Sequence, residues 1–219
     1  MAFYLAIEGA DGAGKGTVSA ALVQHLVADG RRAALVSFPR YADTVGGFAI
    51  GEFLAGRMGR AVTPQAAAVL YALDRFESRD RLQALAAEND VLVFDRYLAS
   101  NMAYQGAQVA ADAGPKLMNW IAELETGSFG LQPPDRSVFL DTPAAVSRRF
   151  IAQKHQRSYT DRTFDEYEAD DGLQDRVRAN YRRLASAEPW RWQVVATTIN
   201  DQPRPPADIA GEIAAALPR

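Results

Sequence analysis

Apolar positions along the chain fall into two alternating patterns. Short, nearly continuous runs occur at residues 3–8, 33–38, 91–95, 137–141 and 193–199. Runs of that length, rich in β-branched residues and without polar alternation, predict strands covered on both faces. Between them apolar residues recur three and four apart. Val18, Leu22 and Leu26 form one such stripe and predict a helix over 15–29, closed by Gly30. Thr63 followed by Pro64 predicts the start of a long helix reaching Glu88, because a proline in the first turn forfeits no hydrogen bond. Further helices are predicted over 100–112, 115–126, 143–153, 172–187 and 206–217. Strands alternating with helices give right-handed βαβ units. The expected fold is therefore α/β, a parallel sheet of about five strands flanked by helices on both faces. In such sheets ligands bind beyond the carboxyl ends of the strands, so the residues after each strand are the ones to read for chemistry.

Composition narrows this only modestly. The 219 residues are 48% hydrophobic and 23% charged, and no linker or repeat divides them, so one domain over 1–219 is expected. A net charge of −3 argues against broad binding to nucleic acid or an anionic membrane, while allowing a local basic pocket. The absence of cysteine excludes disulfides and thiolate metal sites. The opening residues carry no basic leader and run into Gly9, which reads as a strand rather than a signal peptide. No apolar run reaches bilayer length, and a cytoplasmic enzyme is the expectation.

The first strand is followed by Gly9-Ala10-Asp11-Gly12-Ala13-Gly14-Lys15-Gly16-Thr17, which leads into a helix. Glycines let backbone N–H groups turn inward onto phosphate oxygens. The helix N-terminus adds partial positive charge, and Lys15 reaches the β/γ-phosphates. Gly9, Gly12, Ala13, Gly14, Lys15, Gly16 and Thr17 are thus the expected ATP-binding loop. The residue after the lysine, usually a Ser or Thr that touches Mg²⁺, is Gly16 here. Thr17 lies about 100° further round the helix and cannot simply replace it. Asp11 has two readings, a turn-stabilising carboxylate or a group facing the acceptor sugar or Mg²⁺, and spacing alone does not choose between them.

A second acid ends the third run, at Asp95, with Arg96 and Tyr97 behind it. An Asp there is placed like the second carboxylate of P-loop enzymes, which binds Mg²⁺ directly or through water. Phe38-Pro39-Arg40-Tyr41 follows the second run. Tyr71 and Arg75 lie one turn apart in the helix that follows Pro64, as do Asn101 and Gln105 after Asp95. Arginine suits phosphate, aromatic faces suit a base, and Asn suits its polar edge. Singly, each is more often a packed or solvated residue; their coincidence at strand ends carries the weight.

Together these blocks resemble thymidylate (dTMP) kinases, particularly the bacterial and actinobacterial type, over nearly the whole chain. The P-loop, Phe-Pro-Arg-Tyr, Leu73-Asp74-Arg75, Asp95-Arg96-Tyr97 with Ser100-Asn101-Met102-Ala103-Tyr104, and Asp165-Glu166-Tyr167-Glu168 carry the likeness. Adenylate kinases share the loop but lack the Asp-Arg-Tyr/Ser-Asn block. The resemblance implies a P-loop kinase fold with a mobile basic lid at about 149–168, ATP and dTMP as substrates, Mg²⁺ as cofactor, and a homodimer. It implies that Tyr71 stacks on thymine, that Asn101 and Arg75 bind the base edge, and that Tyr104 crowds the sugar 2′ position. Arg40 and Arg96, with Phe38 and Tyr41, would hold the acceptor phosphate. Asp11 would meet the 3′-hydroxyl. Asp165 and Tyr167 would join the dTMP side, and Asp11, Asp95 and Glu168 are the implied metal ligands. Gly12 stands where some eukaryotic-type members carry a catalytic arginine, which puts that duty on the lid.

The segment from Arg148 to Arg162 is basic, which alone reads as a solvated helix end. Beside a P-loop it reads as a lid closing arginines over ATP. The expected contributors are Arg157 and Arg162, with Arg149 on the ATP side. Lys15, Asp95 and Arg96 complete the expected catalytic set. Another nucleoside monophosphate kinase and a non-catalytic nucleotide-binding regulator are the competing readings. Trp190 and Trp192 are expected to be packing residues.

Overall fold

Five parallel strands form one sheet: β1 (Phe3–Glu8), β2 (Ala33–Ser37), β3 (Val91–Asp95), β4 (Arg136–Asp141) and β5 (Trp192–Ala196), in the order β2-β3-β1-β4-β5. The structure, a computed structural model, describes residues 2–152, 172–200 and 202–218. Along the chain the helices are α1 (Lys15–Ala28), α2 (Val45–Leu54), α3 (Pro64–Glu77), α4 (Arg79–Glu88), α5 (Leu98–Gly106), α6 (Gly114–Ala122), α7 (Ala144–Ala152), α8 (Leu173–Ala187) and α9 (Pro206–Ala215). A two-stranded antiparallel piece, β6 (Thr198–Ile199) with β7 (Gln202–Pro203), precedes α9.

The strand runs are apolar throughout because both faces are covered. Leu5 and Ile7 pack on one face with Val18, Leu22 and Leu26 of α1 and Ile209 and Ile213 of α9. Tyr4 and Ala6 pack on the other with Leu92, Phe94 and Tyr97. Glu8 shares their alternation and so enters that second layer, fully buried. Register places Ile7 beside Asp95 and Glu8 beside Phe139, so the ends of β3, β1 and β4 converge on one edge.

Five expectations change, the helix expected over 100–112 stopping at Gly106, and one helix appears that the pattern did not predict. The helix expected to run from Thr63-Pro64 to Glu88 is two helices, broken at Ser78. There the hydroxyl donates back to the Asp74 carbonyl at 2.8 Å, which competes with the helical ladder. The helix expected over 115–126 becomes a π-helical turn at Glu123–Ser128. The run at 193–199 ends at Ala196, and Thr197 turns inward to donate to Thr142 at 2.8 Å. Trp192 is half-buried, but Trp190 is 71% exposed and does not pack. The added helix, α2, has no apolar-periodic signature, because Gly46 and Gly47 occupy its first turn. They are required by close approach: a Cβ on Gly46 would stand 2.4 Å from the Asp74 nitrogen.

Candidate active site

The loop after β1 curls through left-handed glycines at Gly12 and Gly14, and Gly14 caps α1. Lys15, buried, donates from Nζ to the carbonyls of Gly9 at 3.0 Å and Ala10 at 2.8 Å. Burial, reinforced by the Arg96 charge, lowers its pKa to about 7 against the opposing pull of Asp11, Asp95 and Glu8. The ammonium is therefore held over the loop, ready to exchange carbonyl oxygens for phosphate.

Asp11 faces sideways, away from the loop's interior. Its carboxylate accepts from Arg96 Nη2 and from Gln174 Nε2, the latter at 3.0 Å. Its N–H donates to Gln174 Oε1 at 2.9 Å, and its carbonyl accepts from Ser147 Oγ at 2.6 Å. Burial raises its pKa, but Arg96 and Lys15 outweigh that and hold it at about 2. The two readings of Asp11 thus narrow: its carboxylate bridges the loop to β3 and α8 instead of bracing a local turn.

Arg96 adopts φ 67, a left-handed backbone that costs a non-glycine residue on the order of 1 kcal/mol. Two bonds hold it there. Its own N–H donates to Ile7 O at 3.1 Å, and the Tyr97 N–H donates to Glu8 Oε1 at 2.9 Å. The guanidinium lies 5.1 Å over the Tyr104 ring and is kept charged despite burial by the carboxylates of Asp11 and Asp95. Glu8 Oε2 also accepts from Ser100 Oγ at 2.6 Å and Tyr181 OH at 3.0 Å. Burial raises the Glu8 pKa, with these bonds opposing.

Asp95 stands half-buried at the end of β3, with Oδ2 3.1 Å from where a Cβ on Gly16 would sit. Among the described residues no cluster of three metal-binding side chains occurs. The single carboxylate of Asp95 is a hard oxygen donor of the kind Mg²⁺ takes alongside phosphate oxygens and water.

A second polar cluster lies on the α3–α5 side. Arg75 is buried and donates from Nε and Nη2 to both oxygens of Glu125 at 2.6 Å each. Asn101 donates from Nδ2 to Glu125 Oε1 at 2.8 Å and to Ala68 O at 3.0 Å. Phe38, buried and joined to Pro39 by a cis peptide, sets its ring 5.9 Å from the Arg75 guanidinium carbon. Tyr71 packs half-buried beside the Tyr104 cluster. Arg40 donates to Ser78 Oγ at 3.0 Å and pairs with Asp43 at 3.2 Å. With Tyr41 it lines a cavity of about 560 Å³ between β2 and α2, bounded also by Phe48, Glu52 and Arg81.

The structure thus brings Asp11, Lys15, Asp95, Arg96 and Tyr104 together, with Arg75 and Asn101 beside them and Tyr41 and Tyr71 packed against the Tyr104 cluster, while Arg40 follows the end of β2 and bonds to Ser78. Arg149 is exposed on α7, and Thr17 is exposed on α1. Arg157, Arg162, Asp165, Tyr167 and Glu168 lie outside the described residues. Glu8, Glu125, Gln174 and Tyr181 were not singled out from sequence. Glu125 had a usable signal: it continues the buried stripe Leu117–Ile121 at four-residue spacing, where a charge is out of place.

A family profile described as thymidylate kinase matches residues 7–202. The thymidylate kinase of Mycobacterium tuberculosis is 38% identical over 199 residues, covering 90% of this chain and 92% of that protein. That of Thermomicrobium roseum is 31% identical over 202 residues, covering 91% and 89%. Among solved structures, the thymidylate kinase of Candida albicans superposes with a TM-score of 0.75 at 20% identity, covering 98% of this chain and 90% of that one.

Proposed function

The chain belongs to the thymidylate kinase family, and from that premise we propose how its residues divide the transfer of the γ-phosphoryl group of ATP to dTMP. It is an ATP-dependent nucleoside monophosphate kinase whose products are dTDP and ADP. The acceptor phosphate oxygen is already anionic, so the reaction needs no general base. The barrier is the approach of two polyanions in line, and positioning with charge neutralisation lowers it.

One observation carries the division of labour: Arg96, at the end of β3, is bonded to Asp11 of the loop that also carries Lys15. Lys15 and the loop amides take the donor's β/γ-phosphates, with Gly9, Gly12, Ala13, Gly14, Gly16 and Thr17 forming the cradle. Arg96 takes the acceptor phosphate, joined by Arg40, Phe38 and Tyr41. Tyr104, which supports Arg96 from below, closes the sugar side. Asp11, already committed to Arg96 and Gln174, meets the 3′-hydroxyl. Tyr71, Arg75 and Asn101 receive the base, and Asp165 and Tyr167 complete that side. Arg149, Arg157 and Arg162 cover the donor and keep water from the phosphoryl group.

A bound Mg²⁺ would supply neutralising charge to the donor's phosphates. Asp95 is the residue best placed to hold it, with Asp11 and Glu168 as further ligands by resemblance. Residues 1–219 act as one domain in the cytoplasm. A homodimer, implied by the family, accounts for the exposure of Val45 and Phe48 on α2, 68% and 62% exposed. No helix among the described residues is long and apolar enough to cross a membrane. Incubation with γ-labelled ATP and dTMP tests this reading. Label must enter dTDP and must require a divalent cation; label appearing only as inorganic phosphate contradicts it.

A further inference from the structure

Glu125 takes no part in the phosphate chemistry, yet it is fully buried at the base end of the site, on a π-helical turn. Such turns are uncommon and concentrate at functional sites. We infer that Glu125 is a specificity-determining positioning residue. It fixes the polarity of the Asn101 amide, so that the group offered to the base is an acceptor and selects pyrimidines carrying an N3–H. This rests on the reading of Asn101 as the base-edge residue of a dTMP site.

The orientation of an asparagine amide follows from its partners. Asn101 has two partners among the described residues, Glu125 Oε1 and Ala68 O, and neither has a proton to give. The carboxylate of Glu125 is committed as an acceptor by the Arg75 fork, which engages both of its oxygens. Only the Asn101 NH₂ can face this pair. A flipped amide would set its oxygen against two acceptors and lose both bonds. The carbonyl Oδ1 therefore points the other way. It is buried, and no donor among the described residues reaches it. A buried acceptor left open in this way calls for a donor brought by the ligand.

Thymine and uracil carry N3–H between two carbonyls and supply that donor. Neutral cytosine presents a bare N3 lone pair at the same place, which meets Oδ1 as acceptor against acceptor. Leaving a buried polar group unpaired is the most discriminating device a binding site has. Cytosine protonated at N3 regains the donor, so its rejection must weaken in acid.

The test is kcat/KM for dTMP, dUMP, dCMP and N3-methyl-dTMP between about pH 5.5 and 8, on wild type, Glu125→Gln and Glu125→Asp. For wild type, N3-methyl-dTMP falls about 100-fold below dTMP. The dCMP/dTMP ratio rises roughly tenfold for each unit of falling pH, as the protonated fraction does. In Glu125→Gln one of the two acceptor oxygens becomes an NH₂, so the three N–H groups that now converge on the carboxylate can no longer all be accepted, and with the NH₂ on the Asn101 side it can bond to a flipped Asn101. Glu125→Gln therefore raises KM for dTMP with little change in kcat, lifts the dCMP/dTMP ratio at pH 8 about tenfold, and shrinks the N3-methyl penalty. Glu125→Asp keeps the carboxylate and keeps the discrimination. A purely structural role predicts that all acceptors decline in parallel with an unchanged ratio, and that result overturns the inference. Should Glu125→Gln not fold, the wild-type pH series decides: a flat dCMP/dTMP ratio with N3-methyl-dTMP accepted overturns it. Preference for dTMP over AMP with such a flat ratio would sink this inference alone. Preference for AMP would sink the dTMP reading beneath it.

Discussion

Arg96 donates from Nη2 to Asp11 Oδ1, which ties the guanidinium meant for the acceptor phosphate to the loop meant for the donor. The contact sits where β3 and β1 end side by side, with Ile7 in register with Asp95. Two anions that must meet in line thus have their counter-charges built into one rigid corner, before either arrives. Preorganisation of this kind acts on the transition state because no reorganisation is left for the moment of transfer.

Arg96→Lys keeps the charge but loses the planar fork and the contact over Tyr104. We expect kcat/KM for dTMP to fall about 100-fold, with KM for ATP nearly unchanged. Steady-state kinetics with each substrate varied in turn checks this. Equal losses for both substrates would mean that the residue serves the loop and not the acceptor.

Lys15 has a pKa of about 7 without phosphate, because burial and Arg96 disfavour its charge. A bound polyphosphate restores the charge and raises the pKa. Above pH 7 the complex then holds more protons than the free enzyme, so nucleotide affinity falls as pH rises. Titration calorimetry of ADP at pH 8, in buffers of different ionisation enthalpy, should report uptake of about one proton per site. Lys15→Met should abolish that uptake; retention of it would place the proton elsewhere.

Tyr104 is buried against the Arg96 guanidinium, and burial pushes its hydroxyl pKa well up, so it stays protonated. Tyr104→Ala opens the sugar side. The preference for the deoxyribo over the ribo acceptor should drop about tenfold, read as a ratio of kcat/KM values. An unchanged ratio removes the residue from sugar discrimination.

Glu8 is a fully buried carboxyl whose pKa is raised by burial. A raised acid binds its proton longer in the folded than in the unfolded state. Wild-type stability therefore declines as pH rises from the unfolded value through the folded one. Glu8→Gln lacks that slope, so its stability relative to wild type should improve as pH rises above the ordinary carboxylate range. Its kcat/KM for dTMP should nonetheless fall about tenfold, since Glu8 helps hold the strained turn at Arg96. Denaturant melts across pH and kinetics at neutral pH check both halves.

The strands were legible in the sequence to within two residues at their starts because each is covered on both faces and reads as an unbroken apolar run. The loop at Gly9–Thr17 was legible because its chemistry is local: glycines, a lysine and a helix start in nine consecutive residues. What stayed hidden depends on distant partners. Ser78 breaks a helix through its own hydroxyl, which also receives Arg40 from 38 positions away. Helix α2 exists through the fit of Gly46 against Asp74, not through propensity. Gln174 grips Asp11 across 163 positions, and Glu125 gathers Arg75 and Asn101 from two other helices. The family resemblance assigned Arg75 and Asn101 to one base edge, but did not name the carboxylate to which both bond.

The most direct measurement is ADP release with Mg·ATP and, in turn, dTMP, AMP, CMP and UMP, on wild type and Lys15→Met. We expect dTMP to have the highest kcat/KM by a wide margin. Lys15→Met should lose about 10³-fold in kcat while melting as wild type does. Faster turnover of AMP or CMP, or near-normal kcat in Lys15→Met, would contradict the account.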